Sequence, residues 1–429
     1  MASAYPGSSV PRFLALFLAF GAIALSGHVE GARARENPAP VDRSTLPPPK
    51  LAARSWVLVE ARTGEVLASN SVDVALPMAS TTKLMTAYLA IRRLDPGRLV
   101  RVGYYPADPV ESLMGLETGQ RVSVRDLLHG LIMLSGNDSA VALARAVSGT
   151  VPRFVELMNR TAARLGLDST GYRNPIGLDA PGHLSTASDL AKLSLILMRM
   201  PRFRELARER EAILTSYRPP LEIETTNDFL LSYRWANGIK TGATIRAGYL
   251  LASAGSRKGV ELIGVVMGAK SELARDVESA RLLEWGFDLY RERVPLSRGE
   301  VAVGVPVRLR GEELGLVSRS NIRVGVRKGQ ALEVGYEIPD EVEGPIRRGA
   351  RVGRAVIVVN GERIRSVPLL ASSGVSAPTV TEEVRAAVEE NLLLVGIAGF
   401  AILLAALAFG QSRKRKARET LRRIGRKRS

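Results

Sequence analysis

Three short polar motifs in this sequence bring together side chains that could carry out chemistry on a substrate. The first, in PMASTTKLMTAY, places Ser80 three residues before Lys83 at the start of an apolar helical pattern. Residues three apart share a helix face, so the Lys83 amine can lie beside the Ser80 hydroxyl. A lysine can serve as the base for a hydroxyl nucleophile when burial or a second cation lowers its pKa. Serine is also a preferred helix cap, so this motif alone leaves both interpretations open.

The second and third motifs could supply the partners of such a nucleophile. Ser135 and Asn137, in LSGNDSA, lie between two predicted helices. They form either a turn and cap or a hydroxyl and an amide in a cleft, where they could relay a proton and hold a substrate amide. In GIKTGATIRAGYLLASA, Lys240, Thr241 and Gly242 begin a predicted strand. Its edge could pair with an extended peptide, with Lys240 and Thr241 facing a carboxylate and Gly242 allowing close approach, or it could be an exposed strand that starts with a charge.

The composition removes several rival chemistries. The chain of 429 residues has no cysteine, which excludes thiolate catalysis, disulfides and cysteine-ligated zinc. Its three histidines are His28, His129 and His183, and His28 falls in a segment expected to be removed. A Ser-His-Asp arrangement therefore has at most two candidate bases, and a site with several histidine ligands for a metal is not expected.

The elements that must position these motifs form a domain predicted over residues 51–290. Short strands lie at its beginning and its end, and helices lie between them. The predicted elements are a hairpin from residue 55, helices at 80–93, 124–135, 139–147, 151–165, 190–200 and 271–290, and two strands after residue 237. This order predicts an α/β (α+β) domain whose first and last parts share one antiparallel sheet that is covered by helices.

Three further segments flank this domain. Residues 35–50 are rich in proline, which predicts an extended linker. Residues 291–371 carry short alternating apolar runs between glycine-containing turns, which predicts a small all-β domain. Residues 372–388 are expected to form a flexible stalk.

Two apolar segments indicate export and membrane attachment. Residues 13–25 are too short to span a bilayer and are followed by small residues, so residues 1–34 are predicted to be a signal peptide, with an uncleaved anchor as the alternative. Residues 392–410 carry no charge and reach about 28 Å as a helix, roughly the hydrocarbon thickness. A transmembrane helix is therefore predicted at residues 389–411.

The positive charge is concentrated next to that helix. The formal net charge is +17, and Lys and Arg dominate residues 412–429, where Glu419 is the single acidic residue. A polybasic run beside a spanning helix is typical of a cytoplasmic tail, whereas a nucleic-acid arm is the alternative. The sequence thus predicts a single-pass protein of the cell membrane, with its bulk outside the cytoplasm and with no nucleic-acid partner.

Together, the three motifs resemble the signature of penicillin-interacting serine acyl transferases. The sequence resembles the D-alanyl-D-alanine carboxypeptidases, the low-molecular-mass penicillin-binding proteins of the β-lactamase-like superfamily. The likeness runs through LPMASTTKLMTAY, SGNDSAVALA and GIKTGATIRAGYLLASA and covers roughly residues 51–290. Residues 291–371, with GPIRRGARVG and SVPLL, are similar to the second domain of that family. The resemblance implies a β-lactamase/transpeptidase-like catalytic domain followed by the β domain and the membrane helix.

The resemblance also implies a mechanism and four catalytic residues. Ser80 would attack the penultimate D-alanine carbonyl of a peptidoglycan stem peptide that ends in D-Ala-D-Ala, in cell wall biosynthesis and remodelling. Lys83 would act as the general base, Ser135 would return the proton to the leaving amine, and Asn137 would position it. β-Lactam antibiotics would acylate the same serine, and no metal or cofactor would be needed.

The same resemblance places four residues in substrate binding. Lys240 would attract the terminal carboxylate and help keep the base neutral, Thr241 would bond to that carboxylate, and Gly242 would allow the close approach. The backbone N–H groups of Ala243 and Ser80 would form the oxyanion hole.

One departure from the family pattern and two rival functions remain open on the sequence. Some relatives carry an arginine where Thr226 precedes Asn227, so the group that completes carboxylate recognition is open, with Arg246 as one candidate and an exposed charge as the alternative. A β-lactamase would need a deacylating carboxylate, for which Glu156 in VELMN is predicted to be an exposed helix charge instead. The other rival is an inactive wall-binding scaffold, which would have no need of Lys83 beside the serine.

Overall fold

The computed structural model describes residues 47–425. The predicted signal peptide and most of the predicted proline-rich linker lie outside the described residues.

Strands and helices occupy the chain in the following order. The strands are β1 Ser55–Glu60, β2 Val66–Asn70, β3 Leu76–Pro77, β4 Leu99–Arg101, β5 Arg121–Ser123, β6 Leu184–Ser185, β7 Glu211–Leu214, β8 Leu221–Glu224, β9 Ala236–Thr244, β10 Gly248–Arg257, β11 Val260–Ala269, β12 Tyr290–Leu296, β13 Val301–Pro306, β14 Glu313–Ser318, β15 Ile322–Arg327, β16 Leu332–Glu337, β17 Arg351–Val359 and β18 Glu362–Ala371. The helices are α1 Lys83–Arg93, α2 Val124–Ile132, α3 Asn137–Ser148, α4 Val151–Arg164, α5 Ala187–Met198, α6 Pro201–Arg208, α7 Asp228–Ser232, α8 Glu272–Asp288, α9 Val380–Glu390 and α10 Leu392–Gly425.

One antiparallel sheet joins the two ends of the first domain. Its strand order is β2–β1–β11–β10–β9, with Ser55 opposite Met267 and Glu60 opposite Leu262. The prediction that the first and last strands share a sheet is therefore confirmed. This pairing brings β9, which carries the third motif, into the same layer as the start of the domain.

The side chains of β1 alternate between two hydrophobic cores, one on each face of the sheet. Trp56 and Leu58 pack with Phe287 and other residues of α8 on one face. Val57 and Val59 point to the opposite face, into the larger cluster that contains the helices α1 to α6. Because successive side chains of a strand point to opposite faces, a continuous apolar strand such as SWVLVE is expected where both faces are covered.

Helix α2 ends earlier than predicted, and the reason is a backbone turn. It spans Val124–Ile132 rather than residues 124–135. Ser135 has a φ of 57°, in the left-handed region, which a right-handed helix cannot include. The second motif therefore falls in the gap between α2 and α3, and Asn137 opens α3.

The second domain is all-β, as predicted. Its main sheet has the order β13–β14–β18–β17–β16, and β12 pairs with β15 beside it. Leu316, Ile357 and Leu369 are among the fully buried residues of its core. This core is separate from the two cores that β1 contacts in the first domain.

The segment before the membrane helix is more ordered than the predicted stalk. Helix α9 starts at Val380 with a capping box between Thr379 and Glu382. Arg310 of the β domain donates to the Glu382 carboxylate at 3.0 Å. Thr-x-x-Glu is a helix-start signal, which explains a helix inside the region predicted as flexible.

Within the described residues, one helix is long and apolar enough to cross a membrane. The candidate span is Gly396–Lys416, inside α10. It overlaps the span predicted at residues 389–411.

Candidate active site

Ser80 lies in a short 3-10 turn, Ala79–Thr82, that leads directly into α1. The cap position of α1 is Thr82, and no side-chain cap bond is made at either helix start. Ser80 is therefore not the helix cap that the sequence left open. Ala79 has a φ of 45°, a strained conformation for a residue with a side chain, of the kind found at functional sites.

Lys83 is completely buried and directed at the serine. Its Nζ lies 2.9 Å from Ser80 Oγ, and it donates to the Ile176 carbonyl oxygen at 2.7 Å. Burial lowers the pKa of Lys83 well below its usual value, and the charge of Lys240 lowers it further, while Glu111 and Asp138 oppose the shift. A neutral amine at this distance can accept the hydroxyl proton.

The two histidines in the described part of the chain are engaged elsewhere. His183 Nδ1 accepts from the Arg173 backbone N–H at 2.9 Å, so its Nε2–H donates to Thr82 Oγ1 at 2.8 Å. Burial lowers the pKa of His183 to about 4, so this imidazole is neutral and anchors the nucleophile turn. His129 contacts the Arg125 carbonyl oxygen and a Glu209 carboxylate oxygen. Neither ring has the arrangement of a base for Ser80.

The second motif is buried and is tied to the long connection between β4 and β5. Ser135 and Asn137 are both nearly fully buried. Asn137 Nδ2 donates to Glu111 Oε2 at 2.6 Å, and its backbone N–H donates to the Ser112 carbonyl oxygen at 2.9 Å. The Asp138 carboxylate accepts from three successive backbone N–H groups of the same connection, those of Met114, Gly115 and Leu116. Glu111 and Asp138 were not anticipated as contributors.

The third motif lies on the edge strand β9 and touches the nucleophile turn. Lys240 is 1 % exposed, and burial, followed by the charge of Arg275, lowers its pKa to about 7. A Cβ on Gly242 would lie 3.0 Å from the Ser80 backbone nitrogen and 3.2 Å from Ala79 Cβ. An alanine here would therefore force the strand or the turn to shift by a few tenths of an ångström.

Arg275, near the start of α8, is a further cation near the site, and no sequence motif indicated it. Its guanidinium is buried and pairs with Glu272 and Asp276. Its charge lowers the pKa of Lys240. This effect depends on the packing of α8 against the sheet, which no local sequence pattern indicates.

Thr226 and Arg246, the two positions considered for carboxylate recognition, lie in different parts of the structure. Thr226 donates through both its backbone N–H and its Oγ1 to the Met133 carbonyl oxygen, at 2.9 Å each. Arg246 is exposed in the turn between β9 and β10. Thr226 thus braces the chain leading to Ser135.

The carboxylate considered for a β-lactamase is on the surface. The side chain of Glu156 is 67 % exposed and faces Arg160 along α4. Asn159, its neighbour in that motif, bonds to the Tyr172 backbone. VELMN is therefore an ordinary helix segment, as predicted, and brings no carboxylate to Ser80.

Comparisons with known proteins agree with this geometry. The family described as D-alanyl-D-alanine carboxypeptidase matches residues 42–271, and the family described as penicillin-binding protein 5, C-terminal domain, matches residues 290–377. The chain is 34% identical to the D-alanyl-D-alanine carboxypeptidase DacC of Escherichia coli, covering 77% of this chain and 86% of that protein. It is 31% identical to DacF of Bacillus subtilis, over 74% and 85%. Penicillin binding protein 5 of Haemophilus influenzae has a similar structure, with a TM-score of 0.55, 30% identity and coverage of 77% and 99%.

Proposed function

Because the chain belongs to the D-alanyl-D-alanine carboxypeptidase family of serine hydrolases, we propose that it removes the terminal D-alanine from peptidoglycan stem pentapeptides. The observation that carries this proposal is the 2.9 Å contact between Ser80 and a buried Lys83 whose pKa is lowered. The proposed role is in cell wall biosynthesis and remodelling.

Acylation begins at Ser80. Its Oγ attacks the carbonyl carbon of the penultimate D-alanine while the hydroxyl proton passes to the neutral Lys83 amine. The negative oxygen of the tetrahedral intermediate is held by the backbone N–H groups of Ser80 and Ala243. When the intermediate collapses, the C–N bond breaks, and the leaving amine takes the proton from Lys83, relayed through Ser135, so that Lys83 is neutral again. Asn137 holds the substrate amide in place.

Deacylation restores the enzyme. Water attacks the Ser80 ester, the proton from water passes to Lys83 and then to the departing Oγ, and the shortened peptide leaves. The free energy needed to keep Lys83 neutral comes from its burial and from the nearby charge of Lys240.

The terminal carboxylate of the substrate binds beside the middle of β9. Lys240 supplies positive charge, Thr241 supplies a hydroxyl, and Gly242 lets the strand come close to the nucleophile. Arg275 adds positive potential behind Lys240. Because β9 is an edge strand, its free edge can pair with an extended peptide.

The same chemistry makes the protein a target of β-lactam antibiotics. Attack of Ser80 on the ring carbonyl opens the lactam amide and leaves an acyl-enzyme. The leaving nitrogen stays attached to the acyl group, so it does not depart as free D-alanine does. No residue of VELMN is placed to speed hydrolysis of this ester, so we expect slow turnover of penicillin.

One experiment with two substrates tests this function. Wild-type protein should be labelled by a fluorescent penicillin and should release D-alanine from a pentapeptide mimic, and Ser80→Ala should do neither while remaining folded. Ser69→Ala, at an exposed position of β2, is the matched control and should behave as wild type. Labelling that persists in Ser80→Ala would refute the nucleophile, and fast penicillin turnover without D-alanine release would indicate a lactamase.

We also propose that the catalytic domain lies outside the cytoplasm and is held by the span in α10, with the basic tail inside. The support is one apolar helix followed by a dense run of Lys and Arg. In cells stripped of their wall, added protease should digest the catalytic domain and spare an epitope fused after Ser429. Protection of the catalytic domain would contradict this orientation.

A further inference from the structure

Glu111 stands on the connection between β4 and β5 and reaches into the active site. Its Oε2 accepts hydrogen bonds from Asn137 Nδ2, at 2.6 Å, and from the Tyr105 hydroxyl. Its Oε1 accepts from the Asp108 backbone N–H at 3.3 Å. The Glu111 carboxylate thus accepts hydrogen bonds from one residue of the second motif and from two groups of its own loop.

The chemistry of a carboxylate fixes the orientation of the Asn137 amide. An ionised carboxylate only accepts hydrogen bonds, so the amide nitrogen must face Glu111 and the amide oxygen must face away. One N–H of Asn137 is used in this bond, and the amide oxygen is left for a substrate. An asparagine without such a partner could present either end.

A second contact ties the same two segments together. The Asn137 backbone N–H donates at 2.9 Å to the carbonyl oxygen of Ser112, the residue that follows Glu111 in the chain. The loop and the start of α3 are therefore joined through both backbone and side chain.

We propose that Glu111 is a positioning residue for the carboxypeptidase reaction, which sets the orientation of the Asn137 amide and ties the β4–β5 connection to the active site. This inference rests on the function proposed above. It assigns Glu111 no contact with the reacting atoms.

The charges around Glu111 give the proposal a second readout. Tyr105, Asn137, the Asp108 backbone, Lys83 and Asp138 are the groups that act on it or share its surroundings. Burial works to raise the pKa of Glu111, but the hydrogen bonds from Tyr105, Asn137 and the Asp108 backbone, together with the charge of Lys83, outweigh it and hold the pKa below its usual value. Glu111 is therefore charged at neutral pH. Its charge raises the pKa of Lys83, against the larger effects of burial and Lys240.

Loss of the Glu111 charge should change the pH dependence of the reaction. Removing the negative charge at Glu111 lowers the pKa of Lys83, so the neutral base persists to lower pH. The acid limb of the kcat/KM profile, which reports the free enzyme, should move to lower pH. A residue that served only to hold the loop in place would not move this limb.

The experiment uses the full chain and three loop variants. Glu111→Ala should lower kcat/KM for D-alanine release and the rate of penicillin acylation by about tenfold to a hundredfold, as for loss of a charge-assisted hydrogen bond. Glu111→Gln keeps an acceptor oxygen and should recover most of the rate, with the acid limb displaced to lower pH. Glu117→Gln makes the same charge change at an exposed position of the same loop and should match wild type.

A double-mutant cycle separates positioning from folding. If Glu111 acts through Asn137, then Glu111→Ala should cost nothing further in an Asn137→Ala background. If Glu111→Ala costs the same factor in both backgrounds, or if Glu111→Ala and Glu111→Gln both match Glu117→Gln, the inference is overturned. A wild-type protein that neither releases D-alanine nor binds penicillin would instead overturn the proposed function.

Discussion

Gly242 offers a direct test of how closely β9 must approach the nucleophile. Gly242→Ala adds one methyl group, whose carbon would lie 3.0 Å from the Ser80 nitrogen, 3.2 Å from Ala79 Cβ and 3.2 Å from the Thr81 nitrogen. Two of these atoms are backbone, so no flexible side chain can move aside. Either β9 or the nucleophile turn must shift by a few tenths of an ångström.

The size of the effect can be worked from that contact. Overpacking of this kind typically lowers the free energy of unfolding by about 1–3 kcal/mol. The functional loss should be larger, because the shift separates the Ser80 and Ala243 N–H groups that we assign to the oxyanion hole. Loss of one such donor typically lowers the rate by about 10²–10³-fold. The second-order rate of acylation by a fluorescent penicillin and the denaturant midpoint measure the two effects.

The matched control is Gly335→Ala on β16. There the nearest heavy atom to an added Cβ is the Val356 carbonyl oxygen, at 3.9 Å, which is an ordinary contact. This variant should acylate at the wild-type rate and should be changed in stability by no more than about 1 kcal/mol. If Gly242→Ala acylates and unfolds as wild type does, the close approach of β9 is not a requirement of the site.

Two further predictions concern titrating groups. Burial has the largest effect on the pKa of Lys83, and the positive charge of Lys240 is the next cause that lowers it. Lys240→Met removes this charge and should raise the pKa of Lys83, so the acid limb of the penicillin-acylation profile should move to higher pH. An unmoved limb would contradict this coupling. Burial lowers the pKa of His183 to about 4 in the folded protein from 6.5, so the stability that its neutral form contributes is complete above pH 6.5 and is lost as the pH falls towards 4. His183→Gln should therefore flatten the fall in unfolding free energy between neutral pH and about pH 4.5, and an unchanged slope in denaturant titrations would count against it.

The chemistry of the site was largely readable because it sits in short motifs. The three-residue spacing across the 3-10 turn that leads into α1 places Lys83 near Ser80. The three motifs together then carried the family resemblance, and the shared antiparallel sheet was predicted from strands at both ends of the domain. These features depend on local pattern and are therefore visible in a sequence.

What the sequence did not reveal depends on contacts between distant segments. Glu111 lies in a connection with no regular period, so nothing in its neighbours indicates that it meets Asn137. Arg275 resembles any helix arginine until α8 packs on the sheet. The backbone conformation of Ser135 is likewise imposed by tertiary structure, which is why the end of α2 was placed too far along the chain.

The pairing of β1 with β11 makes folding of the catalytic domain depend on its last strands. β1 is buried and apolar, but one of its two neighbours, Val260–Ala269, is made only near the end of the domain. Until that strand arrives, a growing chain presents an open apolar strand edge, which favours aggregation. Contacts between such distant segments also slow folding. The chain can acquire hydrolytic activity only after its catalytic domain is complete, because β9, whose Gly242 lies against the Ser80 turn, belongs to the same late-forming sheet.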